Sequence, residues 1–195
     1  MGNLGSVKNM LKRVGAEPEI SGDLEVINKA DKILLPGVGA FDAAMEKLKE
    51  KGLVDIIKQK VKVDEIPFLG ICLGMQLLTD CSEEGVLPGL GLISGKTIKF
   101  DIEKLEGKKI PHMGWDTVSK GEDSPLTMDL EENARFYFVH SYYVKVDNPK
   151  HSILKTSYGN EFDSGIQKGN IMGVQFHPEK SHKFGMKLLK NFTKL

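Results

Sequence analysis

The segment Gly70-Ile71-Cys72-Leu73-Gly74-Met75-Gln76 follows the apolar run Ile66-Pro67-Phe68-Leu69 and opens a helical pattern, so a cysteine stands where a strand turns sharply into a helix. Few short segments constrain a fold as much. A strand that ends in such an elbow needs glycine two residues before and two after the central side chain, because the turn leaves no room there for a Cβ. A thiol at a helix N-terminus is also favoured in its ionised form by unpaired N–H groups and the helix dipole. Taken alone, Cys72 reads equally as a nucleophile or as a core filler, since free cysteine is among the most buried residue types.

The pattern around the elbow predicts an α/β domain. Leu4, Val7, Leu11 and Val14 recur at helical spacing, and Gly15 ends the run. Ile33-Leu34-Leu35 reads as a short buried strand closed by Pro36-Gly37-Val38-Gly39. Helices follow with Phe41, Met45 and Leu48 on one face, then Leu53, Ile57 and Val61. Strands alternating with helices predict a parallel, flavodoxin-like sheet with helices on both faces and ligands at the carboxyl ends of its strands. The second half is richer in β-forming segments, at 96–100, 135–144, 152–157, 162–167 and 171–176. These predict an antiparallel extension of the same sheet, closed by a helix from His182 to Phe192. No linker divides the 195 residues, which read as one domain.

Charge and cysteine content exclude several classes. Basic and acidic side chains balance at 27 each, so no net field draws nucleic acid or an anionic membrane. Cys72 and Cys81 have neither metal-ligand spacing nor a disulfide framework. On one continuous helix after the elbow they would stand roughly 13 Å apart, beyond disulfide reach. A reducing compartment follows, and the absence of a signal-like or membrane-length apolar stretch points to the cytoplasm.

A nucleophilic cysteine needs a base. Of the five histidines, His177 follows the apolar strand 171–176, and Pro178 forces it into an extended conformation. Residues i and i+2 of an extended segment share a side, so Glu179 can hold the His177 imidazole in one tautomer. The glycine turn after the first strand alone reads as a tight βα connection. Beside the elbow, its N–H groups join that of Leu73 as oxyanion donors.

These residues carry a resemblance. Gly-Ile-Cys-Leu-Gly-Met-Gln at 70–76 with Phe-His-Pro-Glu-Lys-Ser at 176–181 resembles the triad-type, class I glutamine amidotransferases. Pro-Gly-Val-Gly-Ala-Phe at 36–41, Pro-His-Met-Gly-Trp at 111–115 and Phe-Tyr-Phe-Val-His-Ser-Tyr at 136–142 resemble most the glutaminase subunit of imidazole glycerol phosphate synthase. The resemblance spans the whole chain and implies the class I amidotransferase fold without a cofactor. It implies that Cys72 attacks the side-chain amide of L-glutamine, with His177 moving the proton and Glu179 orienting it. Gly37, Val38 and Leu73 match oxyanion positions, and Gln76, Ser141 and Tyr142 match substrate-holding ones. Trp115, Tyr137 and Lys180 match positions facing a (β/α)8-barrel synthase subunit, to which ammonia would pass in a heterodimer. For Trp115 and Tyr137 plain core packing is the other reading.

Two departures stand out. Family members open with a short strand ahead of the Gly-Asn that is Gly2-Asn3 here, so the natural chain is expected to be longer by about eight to twelve residues, one strand with its turn. Asp116 replaces the more usual asparagine. With Ser-His-Lys-Phe-Gly-Met at 181–186, it resembles paralogous glutaminases that serve enzymes amidating a bacterial surface sugar. A stand-alone cysteine hydrolase and a catalytically silent regulatory subunit complete the set of alternatives.

Overall fold

A computed structural model describes residues 4–105 and 107–195. The chain runs α1 (Leu4–Arg13), α2 (Leu24–Asn28), β1 (Ile33–Gly37), α3 (Phe41–Glu50), α4 (Leu53–Lys62), β2 (Phe68–Cys72) and α5 (Leu73–Gln76). It continues through β3 (Cys81–Ser82), β4 (Gly95–Lys99), β5 (His112–Thr117), β6 (Ser119–Lys120), β7 (Arg135–His140) and β8 (Tyr142–Val146). The last elements are β9 (Ser152–Tyr158), β10 (Asn160–Lys168), β11 (Ile171–Val174) and α6 (His182–Thr193). Gly2-Asn3, on which the expectation of an earlier strand rests, lies outside the described residues.

β2 is the organising strand. It is buried along its whole length and pairs in parallel with β1 on one side and β11 on the other. Such a strand has no solvated face and must read as a continuous apolar run, as Phe-Leu-Gly-Ile-Cys does. Its side chains alternate between two cores. Leu69 and Ile71 join α1 and α6 residues such as Leu11, Leu188 and Phe192, whereas Phe68 joins Phe41, Met45, Ile57 and Val61 of α3 and α4. Helices therefore cover both faces, as the alternating pattern predicts.

Among the described residues the sheet has nine strands, with β1-β2-β11-β10-β8-β4-β3 as its main path and β9 and β6 branching from β10. β10 pairs antiparallel with β11, β8 and β9, which is the predicted extension. Two expectations change. The segment 135–144 is not one strand: β7 leaves the main sheet to pair with β5 in a separate two-stranded sheet, and β8 returns to it after Ser141. The helix after the elbow is also short, four residues long, and Cys81 lies exposed on β3 rather than on that helix.

The reason for the short helix is visible in its carbonyls. Leu90 N–H donates to the Leu77 carbonyl at 2.8 Å and Leu92 N–H to that of Leu78 at 2.9 Å, while the Thr79 hydroxyl takes the Gln76 carbonyl at 2.8 Å. Acceptors that a continuing helix would use are thus filled from a loop that buries Leu90, Leu92 and Ile93.

Candidate active site

The elbow forms as its glycines require. Cys72 has φ 55° and ψ −112°, a strained conformation for a residue with a side chain. A Cβ on Gly70 would stand 2.5 Å from the Gly74 carbonyl oxygen, and one on Gly74 would collide with the Leu35 carbonyl oxygen. The turn is therefore packed, backbone against backbone, into β1. Because α5 has only four residues, the macrodipole invoked for Cys72 is small; what remains is the local set of N–H groups that opens the helix, Leu73 first.

Pairing brings the other elements to this point. Gly37 is in register with Cys72, so the turn after β1 emerges beside the sulfur, with Val38 partly exposed. β11 ends three residues before His177, whose backbone is extended at φ −102° and ψ 97°. His177 Nδ1 lies 2.8 Å from Glu179 Oε1, and both side chains are almost wholly buried. The pairing of His177 with Glu179 is the expected one, but the backbone differs: Pro178–Lys180 is a turn of 3-10 helix, so the contact closes across that turn and not along an extended segment.

Electrostatics tie this pair to the cysteine. Burial draws the His177 pKa down, but the neighbouring Cys72 sulfur and the Glu179 carboxylate outweigh it and hold the imidazole raised to about 9. Nε2 is buried without a hydrogen-bond partner among the described residues, which leaves it for a proton exchanged with the sulfur or with a bound molecule. The arrangement can perform nucleophilic acyl transfer: a cysteine on a strained turn, a charged imidazole oriented by a carboxylate, and N–H groups at a strand end.

Gln76 and Tyr142 also converge here. Gln76 Nε2 donates to the Tyr142 carbonyl at 3.0 Å and to Gln175 Oε1 at 3.2 Å. Ser141 occupies the break between β7 and β8, where its carbonyl accepts from Phe100 N–H at 3.3 Å. Gln175 was not singled out by sequence, although it is the polar residue in the apolar run 171–176 and is fully buried. That mismatch was the available signal.

The histidines of the aromatic motifs form a second buried unit. His112 Nδ1 lies 3.1 Å from His140 Nε2, His140 Nδ1 lies 2.7 Å from the Tyr142 carbonyl, and His112 Nε2 lies 3.3 Å from Asp116 Oδ2. Since a carbonyl only accepts, His140 carries its proton on Nδ1 and His112 donates to it. Burial lowers the pKa of His112 to about 4 against the opposing pull of Asp116. Burial, with His112 adding, lowers that of His140 to about 3.

Trp115, Tyr137 and Lys180 gather on one surface. Trp115 is 44% exposed, stacks on His182 at 5.5 Å and meets Tyr137 edge-on at 6.3 Å; Lys180 Nζ sits 5.5 Å from the Tyr137 ring centre. The core-packing reading of Trp115 is set aside. Tyr137 also reaches inward through its main chain: His177 N–H donates to its carbonyl at 2.9 Å, and its own N–H donates to Ser181 Oγ at 3.0 Å.

Residues 3–195 match the family model for glutamine amidotransferase class-I. The "Imidazole glycerol phosphate synthase subunit HisH 2" of Methanococcus maripaludis is 57% identical over all of this chain and 95% of its own length. The protein of the same description in Pseudomonas aeruginosa is 48% identical over all of this chain and 96% of its own. In three dimensions the chain is similar to a putative GMP synthase subunit from Thermoplasma acidophilum, with a TM-score of 0.70 at 18% identity over 100% of this chain and 88% of that one. It is also similar to the glutaminase domain of a Trypanosoma brucei CTPS, with a TM-score of 0.65 at 15% identity over 97% and 88%. At these identities the two structures speak for the fold alone, while the family match and the two relatives carry the assignment: the chain belongs to the class I glutamine amidotransferases.

Proposed function

We propose that this chain is the glutaminase subunit of an imidazole glycerol phosphate synthase, working in the cytoplasm as a single glutamine amidotransferase domain over residues 1–195. The observation that carries the reading is the buried His177–Glu179 pair, bonded at 2.8 Å and electrostatically coupled to the Cys72 sulfur. In the proposed reaction the Cys72 thiolate attacks the side-chain amide carbon of L-glutamine, and the carbonyl oxygen becomes an oxyanion held by N–H groups of Gly37, Val38 and Leu73. His177, charged at neutral pH by the shift described above, delivers its proton to the nitrogen as the C–N bond breaks. Ammonia leaves and a thioester remains. A water molecule then gives a proton to His177 and adds to the thioester; collapse releases glutamate and restores the cysteine.

Gln76, Ser141 and Tyr142 are assigned to holding the substrate. Trp115, Tyr137 and Lys180 are assigned to a (β/α)8-barrel cyclase subunit that takes up the ammonia before it can be protonated in bulk water. Exposed aromatic residues such as Trp115 are enriched at interfaces, and an exposed lysine such as Lys180 belongs to the polar rim around them.

The experiment is glutamate release from glutamine by the complex with the cyclase subunit, compared with Cys72→Ala. Loss of activity on the order of ten-thousandfold, with the complex still formed, is expected when a nucleophile is removed. Turnover that survives Cys72→Ala overturns the mechanism, and a wild-type complex that releases no glutamate revives the silent regulatory subunit.

A further inference from the structure

The amide network behind the elbow has only one consistent orientation. The Tyr142 carbonyl is an acceptor and nothing else, so the group that Gln76 presents to it at 3.0 Å must be its NH2. The same NH2 faces Gln175 at 3.2 Å, which fixes the Gln175 carbonyl oxygen on that side. The Gln175 NH2 is thereby turned toward Cys72, with Nε2 at 3.8 Å from Sγ. Sulfur is large and its hydrogen bonds are long, and this contact is fully enclosed: Gln175 has no exposed surface and Cys72 has 7%. The Gln175 main chain is also pinned, its N–H donating to the Ser164 carbonyl at 2.9 Å.

We infer that Gln175 is a dedicated hydrogen-bond donor to the Cys72 thiolate, held in its donating orientation by Gln76 and the Tyr142 carbonyl. The inference rests on the reading of Cys72 as nucleophile. Two partners of the sulfur distinguish its two states. As a thiol, Cys72 can donate to the Val139 carbonyl, 4.0 Å away, and accept from Gln175. As a thiolate it has no proton for Val139, and the Gln175 amide is the side-chain donor that remains beside His177. Buried ions are stable only when hydrogen-bonded, so an enclosed thiolate needs such a donor before substrate arrives. The assignment also gives Gln76 a second task. Besides any contact with glutamine, it prevents the Gln175 amide from flipping, which would turn a carbonyl oxygen toward the negative sulfur.

The test uses Gln175→Met, which keeps length and burial but removes the donor. Cys72 alkylation by iodoacetamide is followed against pH in the chain bound to its cyclase subunit, with Cys72→Ala as the blank, and kcat and KM for glutamine are measured alongside. The expected result is an alkylation rate at neutral pH lower by about tenfold or more, the worth of one hydrogen bond to a charged group. The alkylation profile moves to higher pH, and kcat falls while KM stays within about threefold, the split expected when an interaction outside the substrate-binding contacts is lost. Gln175→Glu keeps the acceptor for Gln76 and replaces the donor with an oxygen. Its alkylation at alkaline pH is expected to be at least as slow, and it decides the matter if Gln175→Met does not fold.

Wild-type alkylation in a folded Gln175→Met protein overturns the inference. So does failure of both variants to fold, which would make Gln175 a core residue only. If Cys72→Ala keeps its activity the reading of the nucleophile fails instead, and the two failures are told apart by that variant alone.

Discussion

The elbow and the small β5–β7 sheet are held by opposite means. At the elbow, backbone touches backbone: Gly74 lies against the Leu35 carbonyl, Gly70 lies against Gly74, and Cys72 is left in a strained conformation between them. In β5–β7 the contacts are between rings. His112 stacks on Phe138 at 4.7 Å and on Tyr158 at 3.9 Å, Phe136 stacks on Phe176 at 3.9 Å, and Trp115 stays half in solvent. The first region fixes one atom and tolerates no added methyl group. The second spreads its stability over many side chains and keeps an exposed aromatic face, so the half-exposed Trp115 ring is the one it is expected to lose at little cost. One chain thus separates the part that must not move from the part that can be remodelled.

The sharpest way to break this contrast is Gly74→Ala, expected to destabilise the fold by about 3 kcal/mol or more because the new Cβ collides with main chain that has nowhere to go. A melting curve like that of the wild type would show that the elbow is looser than described. Next comes Glu179→Gln, which keeps the hydrogen-bonding shape but removes the charge beside His177. Its glutaminase kcat with the cyclase subunit is expected to fall on the order of a thousandfold, and an unchanged kcat would detach the carboxylate from the chemistry.

Trp115→Ala probes the other region. It should leave the melting temperature of the isolated chain within a few degrees while weakening the complex about 30-fold, the ~2 kcal/mol of an interface hot spot. Calorimetric titration of the two subunits reads this directly, and an unaltered affinity would move the interface elsewhere.

The smallest effect is in the pH dependence of stability, where the two regions have opposite signs. His177 has a folded pKa near 9, above its ordinary 6.5, so its contribution is complete below pH 6.5 and is lost as the pH rises through 9. His112 and His140 have folded values near 4 and 3, so theirs is present above pH 6.5 and is lost as the pH falls toward those values. Denaturant midpoints should therefore peak near pH 6.5 on the histidine account. His177→Gln should flatten the alkaline limb and His140→Gln the acid one, each by on the order of 1 kcal/mol. A limb that keeps its slope in its variant would assign it to other groups.

The same contrast explains how much could be read from the chain beforehand. Gly70, Cys72 and Gly74, and likewise His177, Pro178 and Glu179, act within five residues of one another, so their geometry follows from local rules. The helices of Phe41–Glu50, Leu53–Lys62 and His182–Thr193 were legible for the same reason. The break at Ser141 was not, because 135–144 contains no glycine or proline and the strands part only through their partners, β5 on one side and β4 and β10 on the other. The length of the helix after Cys72 was hidden too, since Leu90 and Leu92, far along the chain, fill the carbonyls that would have continued it. Gln175 sat in view as a polar letter in an apolar run, but only the fold shows that its amide meets the sulfur.

Tyr137 has one further consequence. Its ring belongs to the surface patch, yet its connection to His177 and Ser181 runs through its carbonyl and its N–H, atoms that every amino acid except proline supplies in full. Position 137 is therefore modular. An engineer, or natural drift, can rewrite what this face presents to solvent by changing the side chain there, and the main-chain hydrogen bonds that seat His177 and Ser181 pass through the exchange untouched.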